Sequence, residues 1–161
     1  MSERFFDVSA YAYAHRGLWR GRTPENSIAA FEAARAAGVG VELDVRLTAD
    51  GVPVVFHDAG LERMCGHREL LARVASDELA GHQLPDGSPI PTLAQVLAIM
   101  GDLPVLIELK VDGAGGEIAD RVASAIEGLA GLYGVMSFDE PTVARLCRLV
   151  PDRTVRLQAI A

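Results

Sequence analysis

The sequence has only two cysteines, and they form no motif. Cys65 and Cys147 stand far apart in the 161-residue chain. This spacing excludes a disulfide framework and a zinc site built on paired cysteines. Two reduced thiols in a cytosolic protein are the simplest interpretation, so we expect a cytoplasmic location.

Basic charge and long apolar runs are also scarce. The chain has 15 Lys and Arg against 22 Asp and Glu, which gives a net charge of −7. This balance argues against a nucleic-acid surface, which needs a basic stripe. The longest apolar runs, such as residues 52–56 and 103–107, are too short to span a bilayer. Residues 1–14 lack the apolar segment of a signal peptide, so neither nucleic acid nor stable membrane insertion is expected.

Short apolar runs alternate with Ala-rich segments of helical periodicity. This alternation predicts βαβ units and a parallel sheet. Strands are predicted over residues 11–14, 39–45, 52–56, 104–110, 133–138 and 154–158. Helices are predicted over residues 24–37, 93–100, 117–129 and 141–149. The long, polar and turn-rich stretch 58–91 is interpreted as an insertion with short helical pieces.

The predicted fold class is α/β, a TIM-type (β/α) barrel formed by a single domain over residues 1–161. Eight βα units close such a barrel at a typical length of about 250 residues. The chain is therefore expected to contain about six of the eight strands and to be a truncated barrel. Open barrel edges would expose unpaired backbone groups, which predicts possible self-association.

Strong polar groups fall at the ends of consecutive predicted strands. His15 ends the first strand and His57 ends the third. Active sites of parallel (β/α) folds are built at the carboxyl ends of strands. We therefore expect these two histidines to face one cleft, where imidazoles that titrate near neutral pH can act as general acid and general base.

Carboxylates occupy the second and fourth strands in the same way. Glu42 and Asp44 are two residues apart, so both side chains leave the same face of their strand, and Glu108 lies on the next long strand. Carboxylates in a buried strand are costly unless they are paired or bind metal. Three of them form a hard oxygen site that favours Mg²⁺ or Ca²⁺. Arg16 and Lys110 add positive charge for an anionic substrate.

A series of motifs runs through almost the whole chain in a fixed order. The motifs are His15-Arg16-Gly17, Pro24-Glu25-Asn26-Ser27, Glu42-Leu43-Asp44-Val45-Arg46-Leu47-Thr48, Asp50-Gly51, Val54-Val55-Phe56-His57-Asp58, Leu61-Glu62-Arg63-Met64, Ile90-Pro91-Thr92-Leu93, Ile107-Glu108-Leu109-Lys110 and Ser137-Phe138-Asp139. Their order and spacing resemble the signature of the glycerophosphodiester phosphodiesterase family.

The resemblance implies a TIM-barrel hydrolase that releases an alcohol and sn-glycerol 3-phosphate from a small soluble glycerophosphodiester. It also implies that the stretch 58–91 shapes the glycerol side of the site. The implied roles are catalytic acid and base for His15 and His57, metal ligands for Glu42, Asp44 and Glu108, and phosphate contacts for Arg16 and Lys110. Glu25 and Asn26 are expected to play supporting roles, although a favourable charge at a helix start also explains Glu25.

Other functions remain open from the sequence. A glycoside hydrolase on the same fold would use paired carboxylates such as Glu42 or Asp44 with Glu108, but it leaves both histidines unexplained. An inactive remnant would bind only metal or glycerol phosphate. A phospholipase of the same barrel superfamily would act on intact lipid, but the chain shows no membrane-facing apolar helix.

Overall fold

Five strands, four of them parallel and one antiparallel, form a sheet in a computed structural model that describes residues 6–112 and 115–155. The strands are β1 (Tyr13–His15), β2 (Gly40–Leu47), β3 (Pro53–Val55), β4 (Val105–Leu109) and β5 (Tyr133–Met136). The helices are α1 (Ile28–Ala36), α2 (Glu62–Cys65), α3 (Leu93–Met100), α4 (Gly116–Ile126) and α5 (Glu140–Leu149). The parallel order is β1-β2-β4-β5, and β3 pairs with β2 outside this series.

The two faces of the sheet have different chemistry. Val41, Leu43 and Val45 of β2 are fully buried and pack, with the matching residues of β4, in the main apolar core. Helices α1, α3, α4 and α5 all contribute to that core. The alternate residues of β2 and β4 leave the opposite face. Helices therefore cover one face, and the polar groups are collected on the other.

The third strand corrects the sequence prediction. β3 is antiparallel to β2, with Val45 opposite Val55 and Leu47 opposite Pro53. Only residues 48–52 connect the two strands, whereas a parallel crossover needs about a dozen residues. Asp50-Gly51 instead closes a hairpin, in which Gly51 has a φ of 78°. The prediction of six strands in one parallel series is therefore wrong at this position.

The hairpin carries the chain into the stretch 58–91, which has an apolar cluster of its own. Val55 faces the main core, whereas Val54 and Phe56 face the smaller cluster. Side chains of the stretch complete this second cluster, and they are Leu61, Leu71, Val74, Leu79, Leu84 and Ile90. The strand alternation thus joins the two clusters across a single short strand.

Helix boundaries follow from capping. α3 begins and ends as predicted: Thr92 and Gln95 form a reciprocal capping box at its start, and Gly101 is its C-cap. α1 begins at Ile28 rather than at residue 24, because Asn26 has a left-handed φ of 53° and Ser27 caps the helix through the Ala30 amide. α4 ends at Ile126 rather than at residue 129.

The predicted sixth strand lies mostly outside the described residues. Thr154 forms a parallel bridge to Val135 of β5, and residues 156–158 are not described. Among the described residues, no helix combines the length and the apolar character needed to cross a membrane.

A pair of glycines in the β1–α1 loop tests how tightly this loop is packed. A Cβ on Gly17, at a φ of 85°, would lie 2.8 Å from the Cβ of Ala30, whereas a Cβ on Gly21, at a φ of 61°, meets nothing within 4 Å. Both alanine variants pay about 1 kcal/mol for the left-handed backbone, and Gly17→Ala should lose about 1–3 kcal/mol more through overpacking. Urea unfolding measures the free energy of unfolding of both variants. Equal losses of stability in Gly17→Ala and Gly21→Ala would contradict the packing argument.

Candidate active site and metal centre

Strand register brings the predicted polar residues together. His15 of β1 lies opposite Glu42 of β2, and Asp44 of β2 lies opposite Glu108 of β4. Parallel pairing therefore places one histidine and three carboxylates at the same end of the sheet, as the sequence predicted.

The three carboxylates form a compact, buried group. Glu42, Asp44 and Glu108 are between 1% and 8% exposed, and one oxygen of each lies within 4.8 Å of the others. Burial, together with repulsion from Asp44 and Glu108, raises the pKa of Glu42 to about 7. Such a group of close carboxylates fits a site for a hard divalent cation.

Two cations lie against the same carboxylates. Arg16 Nε is 3.1 Å from Asp44 Oδ2. Lys110 Nζ is 3.2 Å from Asp44 Oδ1 and donates to Glu108 Oε1 at 2.5 Å. Together they offset part of the carboxylate charge while lying beside the place where an anion would approach. Their role as phosphate contacts stays a prediction.

A strained loop fixes Arg16 and Asn26. Both have positive φ values, 59° and 53°. The Arg16 amide donates to the Glu42 carbonyl at 2.8 Å, and the Asn26 amide donates to the Arg16 carbonyl at 2.9 Å. Asn26 Nδ2 donates to Asp44 Oδ2 at 2.9 Å. Backbone strain of this kind persists only where surrounding contacts hold it, and it is common at functional sites.

Two buried oxygens at this place have free acceptor capacity. Asn26 Oδ1 accepts no hydrogen bond from the described residues, and Asp44 Oδ1 has only the ion pair with Lys110 Nζ at 3.2 Å. Buried oxygens with unused lone pairs are costly, and a cation bound by the carboxylates would relieve that cost. This observation agrees with the donor chemistry of the three carboxylates.

The two histidines differ in their surroundings. The His15 side chain is 67% exposed, and its Nε2 is 3.7 Å from Glu42 Oε2. The His57 side chain is half as exposed, and its Nδ1 lies 2.7 Å from Asp58 Oδ1. Hydrogen bonds from Arg63 and His57 hold the pKa of Asp58 well below its ordinary value. Asp58 is therefore an acceptor for the His57 Nδ1–H, which leaves Nε2 free.

His57 reaches the site by a different route from that predicted. It follows β3, which runs antiparallel along β2 within the sheet, and the Phe56 backbone amide donates to the Asp44 carbonyl at 2.9 Å. His57 is thus carried by the β2–β3 hairpin and not by the carboxyl end of a parallel strand.

The sequence interpretation missed Arg46 as a site residue. Arg46 Nε donates to the His57 carbonyl at 2.7 Å, and its Nη1 binds Asp112. Its signal was present, because Arg46 continues the two-residue period of Glu42 and Asp44 on the same face of β2. No role was assigned to Asp58 either, although it directly follows His57.

Comparison with known proteins identifies the family. The model described as the glycerophosphoryl diester phosphodiesterase family matches residues 15–125, more than half of the chain. The chain belongs to this family. It is 38% identical over 145 residues to the probable glycerophosphodiester phosphodiesterase 2 of Mycobacterium tuberculosis, a match that covers 88% of this chain and 53% of that protein.

Solved structures of glycerophosphodiester phosphodiesterases share the fold. The enzyme of Thermotoga maritima superposes with a TM-score of 0.70 at 35% identity, over 83% of this chain and 56% of that one. An Oleispira antarctica phosphodiesterase in complex with the product sn-glycerol-3-phosphate has a TM-score of 0.82 at 26% identity, over 95% and 69%. The predicted α/β barrel class is thereby confirmed, and the present chain contains an incomplete barrel.

The chain spans about half to three-fifths of the length of the first curated relatives that it matches. The glycosidase alternative gains no support from these relatives.

The raised pKa of Glu42 predicts how the metal-free protein responds to pH. The folded state keeps this proton up to about pH 7, whereas the unfolded chain releases it near 4.5. Between these values the folded state binds more protons, so the free energy of unfolding falls as pH rises.

Glu42→Gln should remove this fall in the free energy of unfolding with rising pH, because glutamine does not titrate. With a chelator present, its stability relative to wild type should rise by about 1–3 kcal/mol between about pH 5 and pH 8, measured by urea unfolding. Glu32→Gln, on the exposed face of α1, is the matched control and should show no such trend. Parallel curves for the two variants would rule out a proton on Glu42 in this range.

Proposed function

We propose that the chain hydrolyses glycerophosphodiesters to an alcohol and sn-glycerol 3-phosphate in a metal-dependent reaction with His15 and His57 as the acid and base pair. One observation carries the proposal: three buried carboxylates, His15 and two cations meet at one end of the sheet, and the amide of Phe56, the residue before His57, donates to the Asp44 carbonyl. Family membership supports the same reaction class.

Glu42, Asp44 and Glu108 would hold a divalent cation, either Mg²⁺ or Ca²⁺. When bound, such a cation polarises a phosphoryl oxygen and stabilises the charge that develops in the transition state. Arg16 and Lys110, which lie within 3.2 Å of Asp44, would contact the phosphate oxygens and stabilise the same charge. Glu25 and Asn26 support the site by holding Arg16 and Asp44 in place.

The histidines would move the protons. One imidazole takes a proton from the attacking water as its oxygen bonds to phosphorus. The other gives a proton to the alcohol oxygen as its bond to phosphorus breaks, so the leaving group departs as a neutral alcohol. The Asp58 carboxylate suits His57 for either role, because it fixes the ring and stabilises the imidazolium.

The wider setting is proposed on the same basis. Residues 1–161 form a single glycerophosphodiester phosphodiesterase domain, in which the stretch 58–91 is an insertion beside the glycerol. The substrate is small and soluble, consistent with the product found in the Oleispira antarctica structure. A cytoplasmic location and self-association through outer strands remain predictions, and sedimentation would test the second.

The first test is release of glycerol 3-phosphate from glycerophosphocholine, with and without a chelator. Wild type should release it only without the chelator. His15→Ala and His57→Ala should each lower turnover at least about 100-fold while calorimetric metal affinity stays close to wild type. His67→Ala, outside the site, is the control for histidine loss.

Glu42→Ala distinguishes the metal-ligand role of Glu42 from the acid and base roles of the histidines. It should weaken metal binding in the same calorimetric titration, because it removes one of three charged ligands. Retained turnover in either histidine variant would refute the acid and base assignment. Unchanged metal affinity in Glu42→Ala would refute the ligand assignment, and chelator-resistant release would refute metal dependence.

A further inference from the structure

An arginine from the stretch 58–91 forms a bidentate pair with the carboxylate beside His57. Arg63, on α2, donates from Nε to Asp58 Oδ2 at 2.6 Å and from Nη2 to Asp58 Oδ1 at 2.9 Å. Asp58 Oδ1 also lies 2.7 Å from His57 Nδ1. The planar guanidinium therefore fixes both oxygens of the carboxylate that orients the imidazole.

The same guanidinium reaches the opposite side of the site. Arg63 Nη2 donates to Glu25 Oε1 at 2.6 Å, and that oxygen also accepts from Arg16 Nη1 at 3.0 Å. Arg16 Nε in turn lies 3.1 Å from Asp44. Alternating charges therefore connect a metal-binding carboxylate to the His57 ring, and Arg63 is the link between the two halves.

We propose that Arg63 is a positioning residue for catalysis, which holds Asp58 so that His57 keeps its proton on Nδ1 and presents Nε2 to the phosphate. This inference rests on the function proposed above. It gives the stretch 58–91 a part in the chemistry in addition to any contact with the glycerol.

We expect loss of Arg63 to lower the catalytic rate more than it lowers the stability of the fold. The Arg63 side chain is 48% exposed, and ion pairs with such exposure contribute little to folding. Orientation can matter more for the rate: loss of a group that orients a metal ligand typically costs about 10–100-fold in affinity or activity, and we expect an effect of similar size for a group that orients a catalytic histidine. A residue acting through Asp58 must also lose its effect once Asp58 no longer accepts from His57.

The kinetic test compares Arg63→Gln, Arg63→Lys and Arg68→Gln in the chelator-sensitive assay. Arg68 is the matched control, because it lies on the same stretch, is 89% exposed and pairs only with Glu62 among the described residues. Arg63→Gln should lower kcat about tenfold with KM changed less than about twofold. Arg63→Lys should recover only part of this loss, because an ammonium cannot form the fork.

A double-mutant cycle shows whether Arg63 acts through Asp58. Asp58→Asn alone should lower kcat, and adding Arg63→Gln should lower it by less than about twofold more. Full additivity of the two losses would overturn the proposal. So would a kcat for Arg63→Gln that equals the kcat of Arg68→Gln.

Nitrogen-15 NMR shows which ring nitrogen of His57 carries the proton, and this measurement does not depend on catalytic activity. In the neutral ring, wild type and Arg68→Gln should show protonated Nδ1 and free Nε2, and Arg63→Gln should show mixed tautomers. An unchanged ring spectrum in Arg63→Gln would overturn the proposal even if the chain is inactive. Absence of chelator-sensitive release from wild type would instead count against the proposed function, and the spectrum would still decide on Arg63.

Discussion

The arrangement of this site depends on the repulsion among three carboxylates buried on two adjacent strands. Negative groups this close cannot all be ionised without compensation. The chain supplies some of it through Arg16 and Lys110, while burial and the remaining repulsion from Asp44 and Glu108 raise the pKa of Glu42. The strained loop holds Arg16 and Asn26 against Asp44. Glu25, which accepts from Arg16 and Arg63, helps to keep Arg16 in that position.

Strand register turns that repulsion into a defined geometry. Parallel pairing sets His15 beside Glu42 and Asp44 beside Glu108, and the two-residue period sends the intervening valines and leucines into the core. A slip of one residue in β2 would exchange the two faces. The apolar core and the polar site therefore specify the same register, which explains how a costly cluster is tolerated in a buried strand.

Much of the fold and the site could be predicted from the sequence, and the exceptions have physical causes. The two-residue period of a strand and the position of each residue near a strand end located Glu42, Asp44 and Glu108. Both signals are local in the sequence, so they could be recognised without the structure. The hairpin was mistaken for a parallel strand, although the short link 48–52 excludes a crossover. Contacts such as Arg46 with His57, and Arg63 with Glu25, join residues far apart in the chain, and no local pattern encodes them.

The hairpin that carries His57 has a consequence for how the protein would fail on heating. β2 and β4 lie in the large core, whereas β3 leads into the smaller cluster of the stretch 58–91. Peripheral units with little buried apolar surface open first. Such an opening would withdraw His57 and leave the carboxylate cluster assembled. Under the proposed function, cation binding and catalysis would then be lost at different temperatures, because cation binding depends on the carboxylate cluster and catalysis depends also on His57.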